Sequence, residues 1–265
     1  MGQTTEHTNI AWHPAFIGAA SFDFRKERDQ FQLISEHNLS KEPLRIDLLV
    51  LKMDAGFQST NDIARIFRKH NIIEYKSPDD GLTIDDLYKT LSYAYLYKGT
   101  ADKINEIPAS ELSVSLFRER FPKKMVSLLR EEGAKVIKTA SGIYEVTDLK
   151  PLPLQIIVTK ELDQAAHTGL RLLSRNATDE DIVTFLEQLK TTDHPGDLAN
   201  GDAILQASIA ANLLTYDNLR RRDNKVCEAL KYLMQDQLDL ANENGIKEGI
   251  KEGELKTQQK IALKM

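Results

Sequence analysis

Cysteine is almost missing from this sequence: Cys227 stands alone in 265 residues. One thiol excludes a disulfide scaffold, a CxxC redox site and a cysteine-rich zinc site. Set between Val226 and Leu230 in a helical pattern, it reads as a small hydrophobe on a helix face. Long apolar runs are missing too, since none approaches the ~18 residues that a membrane span requires. The opening MGQTTEHTNI carries neither a basic nor an apolar segment of the signal-peptide kind, so a cytoplasmic protein with no membrane partner is expected. Nor is there a GxxxxGK[ST] phosphate loop, a GxGxxG turn, a GxSxG elbow or an HExxH helix. The six histidines show no metal-ligand spacing. Finally, an excess of basic charge is lacking. Residues 1–160 are neutral, and the whole net charge of -5 falls in 161–265. No global attraction to nucleic acid follows from such a balance, and only a local basic patch would provide one.

What is present divides into two halves. The first alternates helix and strand signals. His13–Arg28 has helical apolar spacing, and Ile46–Leu51 is apolar on both faces except for Asp47, as expected of a central strand covered on both sides. The segment STNDIARIFRKH reads as a helix capped by Thr60 or Asn61, and IIEYK at 72–76 as a second short strand. Thr83-Ile84-Asp85-Asp86 has the form of a capping box opening the helix TIDDLYKTLSYAYLYK. Beyond it come a strand at 112–117, the helix PKKMVSLLREEG, a hairpin turning at Ser141-Gly142 and a strand at LPLQIIV. A mixed α/β domain over 1–160 is therefore expected. From Glu161 onward strand signals give way to helical patterns, which His194-Pro195-Gly196-Asp197 interrupts. A helical extension over 161–241 and a tail over 242–265, with the repeat GIKEGIKEGE, complete the chain. The glycines of that tail, four apart, make a smooth helical stripe suited to homo-oligomer contact.

The chemistry rests on charges placed where a bland sheet has none. Asp47 interrupts an apolar strand, and Glu74 and Lys76 close another. Ionised groups in a buried strand are costly unless they are paired or bind a cation. Strand alternation puts Glu74 and Lys76 on one face, ~6.6 Å apart along the chain. If the two strands pair, Asp47 stands beside them. Two carboxylates with one ammonium suit magnesium, which takes one or two protein carboxylates and keeps waters and phosphate as its other ligands. A structural Glu74–Lys76 or Asp47–Lys76 ion pair accounts for the same spacing.

Asp47 in PLRIDLLVLK, followed by Glu74-Tyr75-Lys76 in IIEYKSP and the helix DDLYKTLSYAYLYK, resembles the PD-(D/E)XK nuclease superfamily. Within it the likeness is to the recombination-promoting nuclease and transposase-related families, whose bacterial members WHPAF, EHNL and GIKEGIKEGE also resemble. The likeness covers residues 12–160 and the tail. It implies a restriction-endonuclease-like fold, a mixed central sheet flanked by helices, followed here by the α-helical extension. It also implies a magnesium-dependent DNA endonuclease, with manganese as a substitute, acting in recombination or transposition. On this resemblance Asp47, Glu74 and Lys76 are the catalytic residues. Asp47, Glu74 and an acid of the first helix, Asp23 or else Glu27 one turn on, hold the metal. Ile46 stands where the motif's name has proline.

DNA contacts would fall to Arg65, Arg68 and Lys69 in RIFRKH and to Arg118, Arg120, Lys123 and Lys124 in FRERFPKK, binding phosphate without regard to sequence. Arg220-Arg221-Arg222 is a third basic run, and Lys89 is a candidate to face the site from its helix. The rival expectation is a non-catalytic DNA-binding or assembly protein on a degenerate nuclease fold. An RNA-directed enzyme of the same fold is a third.

Overall fold

The computed structural model describes residues 10–38, 45–54, 56–148 and 152–222. Cys227 and the repeat tail, with the oligomer contacts expected of it, lie outside the described residues. Among the described residues seven strands form one mixed sheet: β1 (Phe31–Asn38), β2 (Arg45–Lys52), β3 (His70–Lys76), β4 (Leu112–Arg118), β5 (Lys135–Ala140), β6 (Ile143–Thr147) and β7 (Leu154–Val158). Their order across the sheet is β1-β2-β3-β4-β7-β6-β5. Only β3–β4 and β4–β7 are parallel. These strands are buried along almost their whole length, as strands covered on both faces must be.

Local signals explain the connections. Helix α1 (Trp12–Asp23) is shorter than the expected 13–28 span, and a 3-10 turn at Arg25–Glu27 follows it. The expected helix over 59–70 is a single 3-10 turn, Asp62–Ile66, capped by Asn61. Its backbone is held by the sheet, because Gln155 Nε2 on β7 donates to the Ile63 carbonyl at 2.8 Å. Helix α2 (Ile84–Gly99) starts on the expected capping box, Thr83 with Asp86. Helix α3 (Lys123–Glu131) ends before Gly133, whose φ of +93° only glycine adopts readily. The β5–β6 hairpin turns at Gly142, where φ is +71° and a Cβ would stand 2.6 Å from the Leu162 nitrogen.

Among the described residues four helices follow: α4 (Thr168–Arg171), α5 (Asp179–Lys190), α6 (Pro195–Ala211) and α7 (Leu213–Arg222). His194-Pro195-Gly196-Asp197 opens a helix rather than breaking one. His194 caps α6 and Pro195 sits in its first turn, where the missing N–H costs nothing. The long helix expected after Ala199 breaks at Asn212. That buried side chain donates to the Ser174 and Ser208 carbonyls and accepts from the Ala177 N–H.

Helices α2 and α3 cover one face of the sheet, where Leu87, Met125, Val126 and Leu129 pack on Leu49, Ile72, Leu116 and Ile156. Helix α1 covers the other, with Phe16 stacked on Tyr75 at 4.3 Å and edge-on to Phe117. Helices α4 and α6 pack in turn on α1. The chain clusters into two compact units, 1–215 and 216–265. The apolar second face of α1 requires the later helices, so they belong with the sheet. In the second unit, Arg220 and Arg221 of the third basic run both pair with Asp217. No described helix is long and apolar enough to cross a membrane.

One buried pair joins the halves of the first unit. His167 Nδ1 lies 2.8 Å from Asp23 Oδ1, both side chains being almost fully enclosed. Burial lowers the His167 pKa, but its bond to Asp23 and the charges of Asp62 and Asp163 outweigh this and leave it raised above 6.5. A histidine raised on folding contributes stability that is fully present below its unfolded value and is lost as pH rises through the folded one. His167→Asn is expected to cost about 2 kcal/mol at pH 5.5 and clearly less at pH 9. Urea titrations at both pH values check this, and a cost independent of pH would show the pair to be neutral.

Candidate functional site

The antiparallel ladder between β2 and β3 pairs Leu48 with Ile73 and stops there. Beyond that point the backbone N–H of Tyr75 donates to Asp47 Oδ2 at 2.9 Å, so a carboxylate occupies the opening between the two strands. The same register sets Asp47 across from Glu74, while β3 stays paired with β4 through Lys76 and Arg118. Glu74 and Lys76 alternate with Tyr75, which points at α1, and so face α2. The three residues singled out from the sequence are thus brought together at one end of the sheet.

Charges arrive from both sides. Lys76 Nζ lies 2.9 Å from Asp86 Oδ1 in the first turn of α2 and 3.5 Å from Glu74 Oε1. Asp86 Oδ2 meanwhile accepts the Thr83 N–H and hydroxyl, so the capping box that starts α2 also holds the lysine. From α1, His13 Nε2 stands 3.9 Å from Asp47 Oδ2. The Glu74 side chain is only 7% exposed, against 17% for Lys76 and 21% for Asp47. Burial, then the neighbouring charge of Asp47, pushes Glu74 up to about 7 despite the opposing pull of Lys76 and Lys89. Burial also raises Asp47, against the Tyr75 N–H and the charges of His13, Lys76 and Lys89. Lys76 loses basicity to burial and regains more from Asp86 and Glu74, ending above its ordinary value.

Such an arrangement can do two things. It can exchange a proton near neutral pH at Glu74, or it can receive a hard cation between two carboxylates that burial and mutual repulsion leave poorly compensated. Asp47 and Glu74 fit magnesium in number and type. Among the described residues no group of three His, Cys, Asp or Glu side chains is disposed to hold a metal ion.

Asp23 does not join the cluster. It lies at the far end of α1, about 15 Å along the helix from His13, with its oxygens bonded to Asn61 and His167. Glu27 is bonded to Ser59 and Thr60. Hydrogen bonds to neighbouring segments hold these acids for the fold, so the first helix supplies His13 instead. The sequence signal for His13 was its place in WHPAF, at the start of the helix rather than its end. The two basic clusters part company. Arg118 closes β4 opposite Lys76, and Arg120, Lys123 and Lys124 follow it, all partly or fully exposed. Arg65, Arg68 and Lys69 precede β3, about 20 Å along the strand from Lys76. Lys89, exposed on α2, acts on both carboxylates through its charge.

Comparison with family models, with curated proteins and with solved structures finds no match to this chain.

Proposed function

We propose that this chain is a magnesium-dependent nuclease that hydrolyses DNA phosphodiester bonds, as the resemblance to the PD-(D/E)XK superfamily implies. The observation that carries this reading is the group Asp47, Glu74 and Lys76 at the open end of the β2–β3 ladder, with Glu74 raised to about 7. Magnesium held by Asp47 and Glu74 would supply Lewis-acid stabilisation and a water of lowered pKa. Lys76, fixed by Asp86, presents its ammonium beside them to offset phosphate charge or orient the attacking water. Tyr75 N–H keeps the Asp47 carboxylate turned into the opening, and burial keeps bulk water from screening Lys76.

Plasmid DNA incubated with the protein tests the reading. Nicking in magnesium, none in EDTA, and none with Asp47→Ala are the expected results. Nicking by Asp47→Ala at the parent rate would remove Asp47 from the site. A second reading, a non-catalytic DNA-binding or assembly protein on the same framework, is favoured by one observation: no acid of the first helix reaches the cluster. It predicts DNA binding without nicking in either magnesium or manganese.

The cations beside β4 are the proposed DNA path, since they share the sheet end with Lys76. Binding in calcium, with cleavage suppressed, is expected to weaken with salt at a slope near -0.9 per phosphate neutralised. Changing Arg118, Arg120, Lys123 and Lys124 to alanine should flatten that slope by about one to three phosphates. An unchanged slope would take this cluster off the path.

A further inference from the structure

At the opposite end of the sheet from Lys76, the loop after β2, the Asp62–Ile66 turn and the segment before β4 enclose a pocket of about 360 Å³. That is the small end of the range for ligand sites, about 300–1,000 Å³, and suits one small organic molecule rather than a duplex. Its wall includes three phenylalanines, Phe31, Phe57 and Phe67. Phe57 packs edge-on to Phe31 with centroids 5.7 Å apart, and Phe57 alone of the three is not buried.

The same wall carries Arg65, Arg68, Lys69 and Glu111. Arg65 pairs with Asp62 beside the pocket, and Lys69 Nζ stands 3.8 Å from Glu111 Oε2. Arg68 is exposed, and among the described residues its guanidinium has no acidic partner. Its backbone, by contrast, is fixed. The Arg68 N–H donates to Asn71 Oδ1 at 2.7 Å, and the Arg68 carbonyl accepts from Asn71 Nδ2 at 2.8 Å. An exposed planar cation thus rises from a hydrogen-bonded base beside an aromatic wall. Glu111 Oε2 is enclosed and faces Lys69, so it is not open to a ligand.

A ligand that answers both features has an anionic end for Arg68 and a flat apolar body for Phe57. We propose that this pocket binds a single nucleoside phosphate, either free or as an unpaired nucleotide of a DNA strand. Phosphate meets Arg68, as guanidinium forks do. The base lies against Phe57, as bases do on aromatic side chains in single-strand sites. A paired base cannot enter, because its faces are already stacked within the duplex. The proposal stands without the nuclease reading, since neither Glu74 nor Lys76 takes part.

Isothermal titration of the full chain in EDTA, where no cleavage intervenes, tests it with dAMP, deoxyribose 5-phosphate and a six-residue oligo(dA). Saturable binding of dAMP, with deoxyribose 5-phosphate about tenfold weaker for want of a stacked base, is expected. Phe57→Leu should weaken dAMP by a similar factor and leave the sugar phosphate unchanged. Arg68→Ala, at an exposed side chain, should weaken both about tenfold or more. Equal molar affinities of dAMP and oligo(dA) identify a free nucleotide as the occupant, and tighter oligo(dA) binding identifies a strand. Either result supports the pocket. No saturation by dAMP or oligo(dA) at millimolar concentration would overturn it. So would affinities that neither substitution changes in protein that melts like the parent.

Discussion

Glu74→Gln is expected to abolish the proposed cleavage and, in EDTA above pH 7, to make the protein more stable. The reasoning is linkage. A carboxyl raised from 4.5 to about 7 on folding works against the fold once it ionises. The folded state holds its proton longer than the unfolded one, so stability falls as pH rises from about 4.5 to 7, and the full penalty persists above. Two and a half pH units correspond to about 3 kcal/mol for this nearly buried side chain. Glutamine keeps the shape and never ionises, so the variant escapes the penalty. At pH 5 the two proteins should melt alike. At pH 8 the variant should melt several degrees higher. Magnesium should reverse the order, because only the parent offers an ionised Glu74 to the cation. Melting curves at pH 5 and 8, with EDTA or magnesium, test each step. A variant less stable than the parent in EDTA at pH 8 would mean that Glu74 serves the fold as the partner of Lys76.

Lys76→Met should lose about 10²- to 10⁴-fold in cleavage while still binding metal, since an ammonium stabilises charge or places water without ligating magnesium. The substitution has a second, less obvious consequence. Lys76 is one of the charges that restrain the rise of Glu74. With methionine in its place, Glu74 should hold its proton to still higher pH, and metal binding should require more alkaline conditions than in the parent. Manganese titrations at pH 7 and 8.5 would show the shift: parent and variant close together at pH 8.5, the variant weaker at pH 7. Loss of metal binding at both values would make Lys76 a structural support. Cleavage at the parent rate would exclude it from the chemistry altogether. Asp86, which holds Lys76 from α2, loses its partner in the same variant, so thermal stability should be followed alongside.

Both results depend on a site whose parts were unequally visible in the chain. The placement of these strands was legible because a fully covered strand reads as a near-continuous apolar run, and Ile46–Leu51, Leu112–Phe117 and Leu154–Val158 each carry only one or two polar residues. Thr83 and Asp86 announced the start of α2 because a capping box is completed within four residues. Glycine at 142 announced the hairpin because only glycine fits that turn. Alternation alone put Glu74 and Lys76 on one face.

Tertiary structure decided what local rules leave open. Register between β2 and β3 set Asp47 across from Glu74, and the early end of their ladder opened the space its carboxylate fills. The second role of Asp86, as the clamp on Lys76, arises only because α2 folds back over β3. Asp23 was drawn away by His167, 144 residues later in the chain. The segment 59–70 became one turn rather than a helix because Gln155 and Asn71 take up its backbone groups. The chain by itself determined which segments are strand or helix and which charges interrupt them, since those depend on neighbours a few residues apart. Which acid meets which base, and which merely holds the fold together, was decided by the surfaces that bury one another, because a charge in a sheet is assigned its partner only when a distant element covers it.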